Sequence, residues 1–88
     1  MVPYIDEHHP EYFIRTFDSS LDCEYFYWHK DKKDRIILTT SGNNWKIQMD
    51  NQLPEELSST QNYFIPKETY HRLIKGTDDL ILKIKELD

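Results

Sequence analysis

Short apolar or alternating runs, each broken by turn-forming residues, dominate this chain, and no segment sustains a helical period. In Trp45-Lys46-Ile47-Gln48-Met49-Asp50, Trp45, Ile47 and Met49 share one side of an extended chain and polar residues hold the other. Residues 12–17, 23–28, 35–40, 62–65, 70–74 and 80–85 read as further strands. Asp18-Ser19-Ser20 and Lys75-Gly76-Thr77-Asp78 separate some of them, and Ser41-Gly42-Asn43-Asn44 predicts a hairpin turn. Pro66 stops one strand, residues 51–56 read as a loop, and Pro54-Glu55-Glu56-Leu57 offers only a brief helical turn. Seven or eight strands of about five residues fill the 88 positions, which predicts one all-β domain, a closed barrel or a sandwich. Residues 1–10 read as an N-terminal arm, with His8 and His9 on its surface.

A chain this short buries only about 60–65% of its unfolded surface, so it needs large side chains or a partner. Six Tyr, four Phe and two Trp supply area. Residues 23–28 are apolar in both phases: Tyr25 and Tyr27 share the phase of His29, and Phe26 and Trp28 take the other. That predicts a strand covered on both faces, with the strand around 11–17 pairing with the other sheet or with a second copy, hence a homodimer. Cys23 is the single cysteine, so no disulfide forms within the chain, and it reads as packing rather than a nucleophile. With no basic or apolar leader at the start, the expected setting is cytoplasmic. The net charge of −5 argues against nucleic acid as a partner. No apolar run approaches the ~20 residues of a membrane span.

Two stretches go further. One is Trp28-His29-Lys30-Asp31-Lys32-Lys33-Asp34-Arg35, followed by Gly42. The other is Tyr63-Phe64-Ile65-Pro66-Lys67-Glu68-Thr69-Tyr70-His71-Arg72-Leu73. Together they resemble the two motifs of the cupin superfamily, small jelly-roll β-barrels. The first motif is His-x-His, three or four residues, Glu, six residues, Gly; the second is Pro-x-Gly-x-x-His. In many members the three histidines and the glutamate bind a metal. His29 falls at the first histidine, Asp31 at the second, and Arg35 at the glutamate when Gly42 takes the glycine position. Pro66 and His71 match the second motif, with Glu68 replacing its glycine. The resemblance implies a single-domain, cupin-like jelly-roll barrel over residues 1–88, with seven or eight short antiparallel strands.

On extended chain, His29 and Asp31 share a face, as do His71 and Leu73. If both faces line one barrel, three functional readings follow. In the first, Tyr25, Tyr27, Arg35 and His71 bind a small polar or anionic molecule without metal, with Arg35 as a fork for the anion. Its charge would make the barrel mouth locally positive. In the second, a metal-dependent cupin enzyme of dioxygenase or isomerase type holds Fe, Mn, Ni or Zn with His29, Asp31 and His71. Arg35 weighs against this reading, because its guanidinium repels a divalent cation. In the third, the barrel is an interaction module without pocket chemistry. The bland alternatives are a solvated charged turn over residues 30–35 and a packed core histidine at position 71.

Overall fold

A computed structural model describes residues 4–87. The strands are β1 (Tyr4–His8), β2 (Phe13–Phe17), β3 (Asp34–Ser41), β4 (Lys46–Met49), β5 (Glu55–Glu56), β6 (Asn62–Ile65), β7 (His71–Ile74) and β8 (Leu80–Leu87). All pairings are antiparallel. One sheet has the order β1-β2-β8-β3-β6 and the other β5-β4-β7. The period-two pattern decides what lies between them. Phe13, Phe17, Ile37, Trp45, Ile47, Ile65, Leu73, Leu80, Leu82 and Ile84 point inward and form the core. Their alternates are half-buried or exposed, whereas Arg15, Thr39 and His71 are polar residues buried with the core. The result is a jelly roll whose two sheets are not joined into a closed hydrogen-bonded barrel. No helix among the described residues is long and apolar enough to cross a membrane.

Four expectations are corrected. Residues 23–28 form no strand; Glu24–Phe26 make a single 3-10 turn. A run apolar in both phases has no one face to bury, and here it splits. Tyr25 and Phe26 pack onto the core, whereas Tyr27 is 61% and Trp28 46% exposed. The 41–44 turn makes no hairpin, because β3 pairs with β8 and β6 while β4 pairs with β5 and β7. Gly42, at φ +130°, carries the chain from one sheet to the other. Glu55–Glu56, read as loop or helical turn, is a short strand beside β4. Lastly, residues 4–8 are not a free arm but strand β1, and β2 lies between β1 and β8 of its own sheet. That overturns the pairing of the 11–17 strand with the opposite sheet or a second chain.

A buried charge explains why β1 docks. Arg15 points into the core between Phe13 and Phe17 and is 7% exposed. Asp6 of β1 accepts its Nε and Nη2 at 2.7 and 2.8 Å, and the Tyr4 ring lies 4.2 Å from its guanidinium carbon. This bidentate contact holds the Asp6 carboxyl below its usual range, against the burial that raises it. A depressed carboxyl stabilises the fold above its unfolded pKa and loses that contribution as pH falls through the folded value. Asp6→Asn should therefore cost about 2 kcal/mol at neutral pH, because it leaves Arg15 buried without a counter-charge. It should also flatten the stability loss below about pH 4. Urea denaturation at pH 7 and pH 3 checks both.

Thr39 is the converse case. It is 3% exposed, and its hydroxyl has no hydrogen-bond partner among the described residues. Thr39→Val keeps the shape and removes an unsatisfied group, so it should raise stability by about 1 kcal/mol in the same assay.

Candidate metal centre

His29 and His71 meet at an isolated antiparallel bridge. Each backbone N–H donates to the other residue's carbonyl, at 3.0 and 2.8 Å. Directly opposed residues project to the same side, and the two imidazole centres stand 4.3 Å apart. Asp31 is two positions beyond His29. Glu68 N–H donates to its carbonyl at 2.8 Å, which ties the His29–Asp31 segment to the turn before β7. One donor atom from each of His29, Asp31 and His71 lies within 4.8 Å of the others. His71 and Asp31 are buried, and His29 is half-buried.

Backbone carbonyls set the protonation of both rings. His29 Nδ1 lies 2.9 Å from the Tyr27 carbonyl, and His71 Nδ1 lies 2.8 Å from the Thr69 carbonyl. A carbonyl only accepts, so each Nδ1 carries a proton and donates it. In a neutral ring the Nε2 lone pair is then free. Burial pushes the His29 imidazole below its usual pKa, outweighing the Tyr27 carbonyl that favours its charged form. Its ring is therefore neutral at pH 7.

Asp31 supplies the third donor. Its Oδ1 is 3.4 Å from Arg35 Nη1, and its Oδ2 is 3.2 Å from His71 Nε2. The second contact has ion-pair distance without hydrogen-bond alignment, so Oδ2 is a buried carboxylate oxygen with no hydrogen-bond partner among the described residues. Burial raises the Asp31 carboxyl, but His71 and the Arg35 charge outweigh it and hold it below the usual range. The group is thus an anion with one oxygen directed at the two histidines. Two imidazoles and one carboxylate, each with a donor atom within 4.8 Å of the others, are the donor set of a two-histidine, one-carboxylate site, whose histidine nitrogens must be unprotonated to ligate. The carbonyl contacts at Nδ1 are the outer support that metal-binding histidines need.

Arg35 is inside the fold, where its donors meet protein carboxylates. Its Nε and Nη2 both donate to Glu86 Oε2, at 3.1 and 3.0 Å, and its Nη1 faces Asp31. Protein carboxylates occupy the guanidinium. Its charge is thus shared between Asp31 at the centre and Glu86 at the surface.

The space beside these groups is a cavity of about 30 Å³, walled mainly by apolar side chains such as Phe17, Ile37, Leu73 and Leu82. Tyr25 joins the wall and meets the His29 ring edge-on at 4.8 Å. Tyr27 does not. Its hydroxyl donates to Asp22 at 2.6 Å in the open, because the chain leaves the extended phase at the 3-10 turn. Asp31 and Arg35 are drawn inward, which overturns the solvated reading for those two, while Lys32 and Lys33 are exposed. His8 and His9 are exposed on the first strand and the turn after it, and His9 pairs with Glu7 at 2.8 Å. Cys23 is buried, and burial pushes its thiol up, in keeping with a packing role. Nothing in the sequence announced the Tyr27 and Thr69 carbonyls or Glu86, because backbone groups and a distant strand carry no local motif.

The fold and the donor set together define a jelly-roll protein with a candidate metal centre between its sheets. Solved structures give this architecture its name. The chain superposes on a DMSP lyase structure with a TM-score of 0.72 at 18% identity, over 88% of this chain and 37% of that one. A cupin-2 domain protein from Shewanella frigidimarina matches with a TM-score of 0.60 at 19% identity, over 92% and 76% of the two chains. A cupin domain from Bordetella pertussis matches at 0.58 and 10%, over 97% and 94%. This chain spans little more than a third of the lyase chain. No family model and no curated protein matches the sequence. The chain has the cupin fold, as the resemblance implied.

Proposed function

We propose that this protein binds one divalent transition metal through His29, Asp31 and His71, which line the small inner cavity. The observation that carries the reading is the convergence of the buried Asp31 Oδ2, which has no hydrogen-bond partner among the described residues, with two histidines whose Nδ1 protons are committed to backbone carbonyls. Nitrogen and oxygen donors without a thiolate suit Fe(II), Mn(II), Ni(II) or Zn(II). When bound, such a metal supplies Lewis acidity to a coordinated oxygen ligand. The chain's own residues orient and exclude. Arg35 and Glu86 steady Asp31 through Oδ1, and the aliphatic walls keep bulk water from the centre. The metal-free anion reading loses ground on two counts. The Arg35 fork is filled, and about 30 Å³ is far below the roughly 300–1,000 Å³ of an organic ligand site.

Elemental analysis tests the reading. Untagged protein, incubated with each metal in turn and then dialysed, should retain about one ion per chain for at least one of the four. Retention of none of them would overturn the proposal.

A further inference from the structure

We propose that the open side of the sandwich is a binding cleft for a small organic cation with an apolar body. β5 and β6 are edge strands of opposite sheets, and no hydrogen-bonded ladder joins them. Between β4–β5 and β6 lies a cleft of about 390 Å³, within the usual range for small-molecule sites. Its floor includes Ile47 and Ile65, which also wall the inner cavity. A molecule in the cleft therefore sits one side-chain layer from the His29–Asp31–His71 centre.

The lining chooses the ligand. Among the described residues, Asp50 and Glu55 are the only charged side chains around the cleft, and no lysine, arginine or histidine lines it. Neither carboxylate has a side-chain ion pair or hydrogen bond among the described residues. Beside them stand Tyr63 and Phe64. The Tyr63 hydroxyl is held by the Glu56 carbonyl at 2.6 Å, which steadies the rim, and Phe64 is 56% exposed. Carboxylates attract a cation, aromatic faces attract it through their quadrupole, and the apolar floor takes its hydrocarbon part. An anion meets two like charges. The rim of this cleft is thus acidic. This inference does not depend on the metal reading and is tested on protein without metal.

Benzyltrimethylammonium is the probe, with benzoate as the anionic control. Calorimetry and amide chemical-shift mapping should show saturable binding of the cation, with the shifted amides gathered around residues 47–69, and no binding of benzoate. Asp50→Asn combined with Glu55→Gln should weaken binding roughly tenfold, and Phe64→Ala roughly threefold. Both changes are on the surface, and unchanged melting temperatures would show the fold intact. No saturation, equal binding of benzoate, or an unaltered affinity in the double variant would overturn the proposal.

Discussion

Gly76→Ala should be the most damaging small substitution in the chain, costing about 3 kcal/mol or more. A β-carbon at position 76 would overlap the Asn43 carbonyl oxygen and the Trp45 ring, and would lie 2.8 Å from the Trp45 nitrogen. Two of those atoms are backbone, and the third belongs to a side chain that is 1% exposed. None can swing away. The same turn is fixed by Trp45 Nε1–H donating to the Asp78 carbonyl at 2.7 Å, by Asn43 N–H on Asp78 Oδ1 at 2.6 Å, and by Thr77 N–H on the Asn43 carbonyl at 3.1 Å. Relief of the overlap therefore breaks contacts between the turns that close the two sheets. At roughly 0.05–0.15 kcal/mol per residue, 88 residues give about 4–13 kcal/mol in all, so the variant should be largely unfolded or melt many degrees lower. Thermal denaturation checks this. A loss under about 1 kcal/mol would mean that the turn does not press on Trp45.

His71→Ala and Asp31→Asn should each weaken metal binding by on the order of 100-fold or more. Loss of an outer support alone costs 10–100-fold, and these residues are the proposed ligands themselves. The pair of variants separates chemistry from folding. His71→Ala removes a buried ring, so some loss of stability is expected, although the His29–His71 bridge is made by backbone and survives. Asp31→Asn keeps the shape and changes only the charge and one donor atom. If both variants fold and retain wild-type metal affinity, these side chains do not form the centre.

Much of this was legible in the sequence, for identifiable reasons. The alternation in residues 45–50 and 80–85 located inward faces because a strand has only two sides. The spacing of His29, Asp31 and His71 survived into three dimensions because His29 and His71 sit opposite one another on extended chain. Failures came where both phases looked alike or where partners were remote. Residues 23–28 offered no single face to bury, so the chain turned and sent Tyr27 to solvent. Strand β1 depends on Asp6 finding Arg15, a pairing that no local pattern signals. The role of Arg35 depends on Glu86, 51 residues away. That contact and Asp31 together engage its guanidinium.

The central claim is that Nε2 of His29, Nε2 of His71 and the Asp31 carboxylate form one metal centre. Long-range proton–nitrogen NMR of the imidazoles, recorded as one equivalent of Zn(II) is added, tests it most directly. His8 and His9 serve as internal controls, because they lie exposed outside the centre. The expected result is that the Nε2 signals of His29 and His71 shift together and saturate at one equivalent. Their Nδ1 atoms should stay protonated on the Tyr27 and Thr69 carbonyls, while His8 and His9 stay unmoved. Shifts confined to His8 and His9, or no saturable shift at His29 and His71, would contradict it.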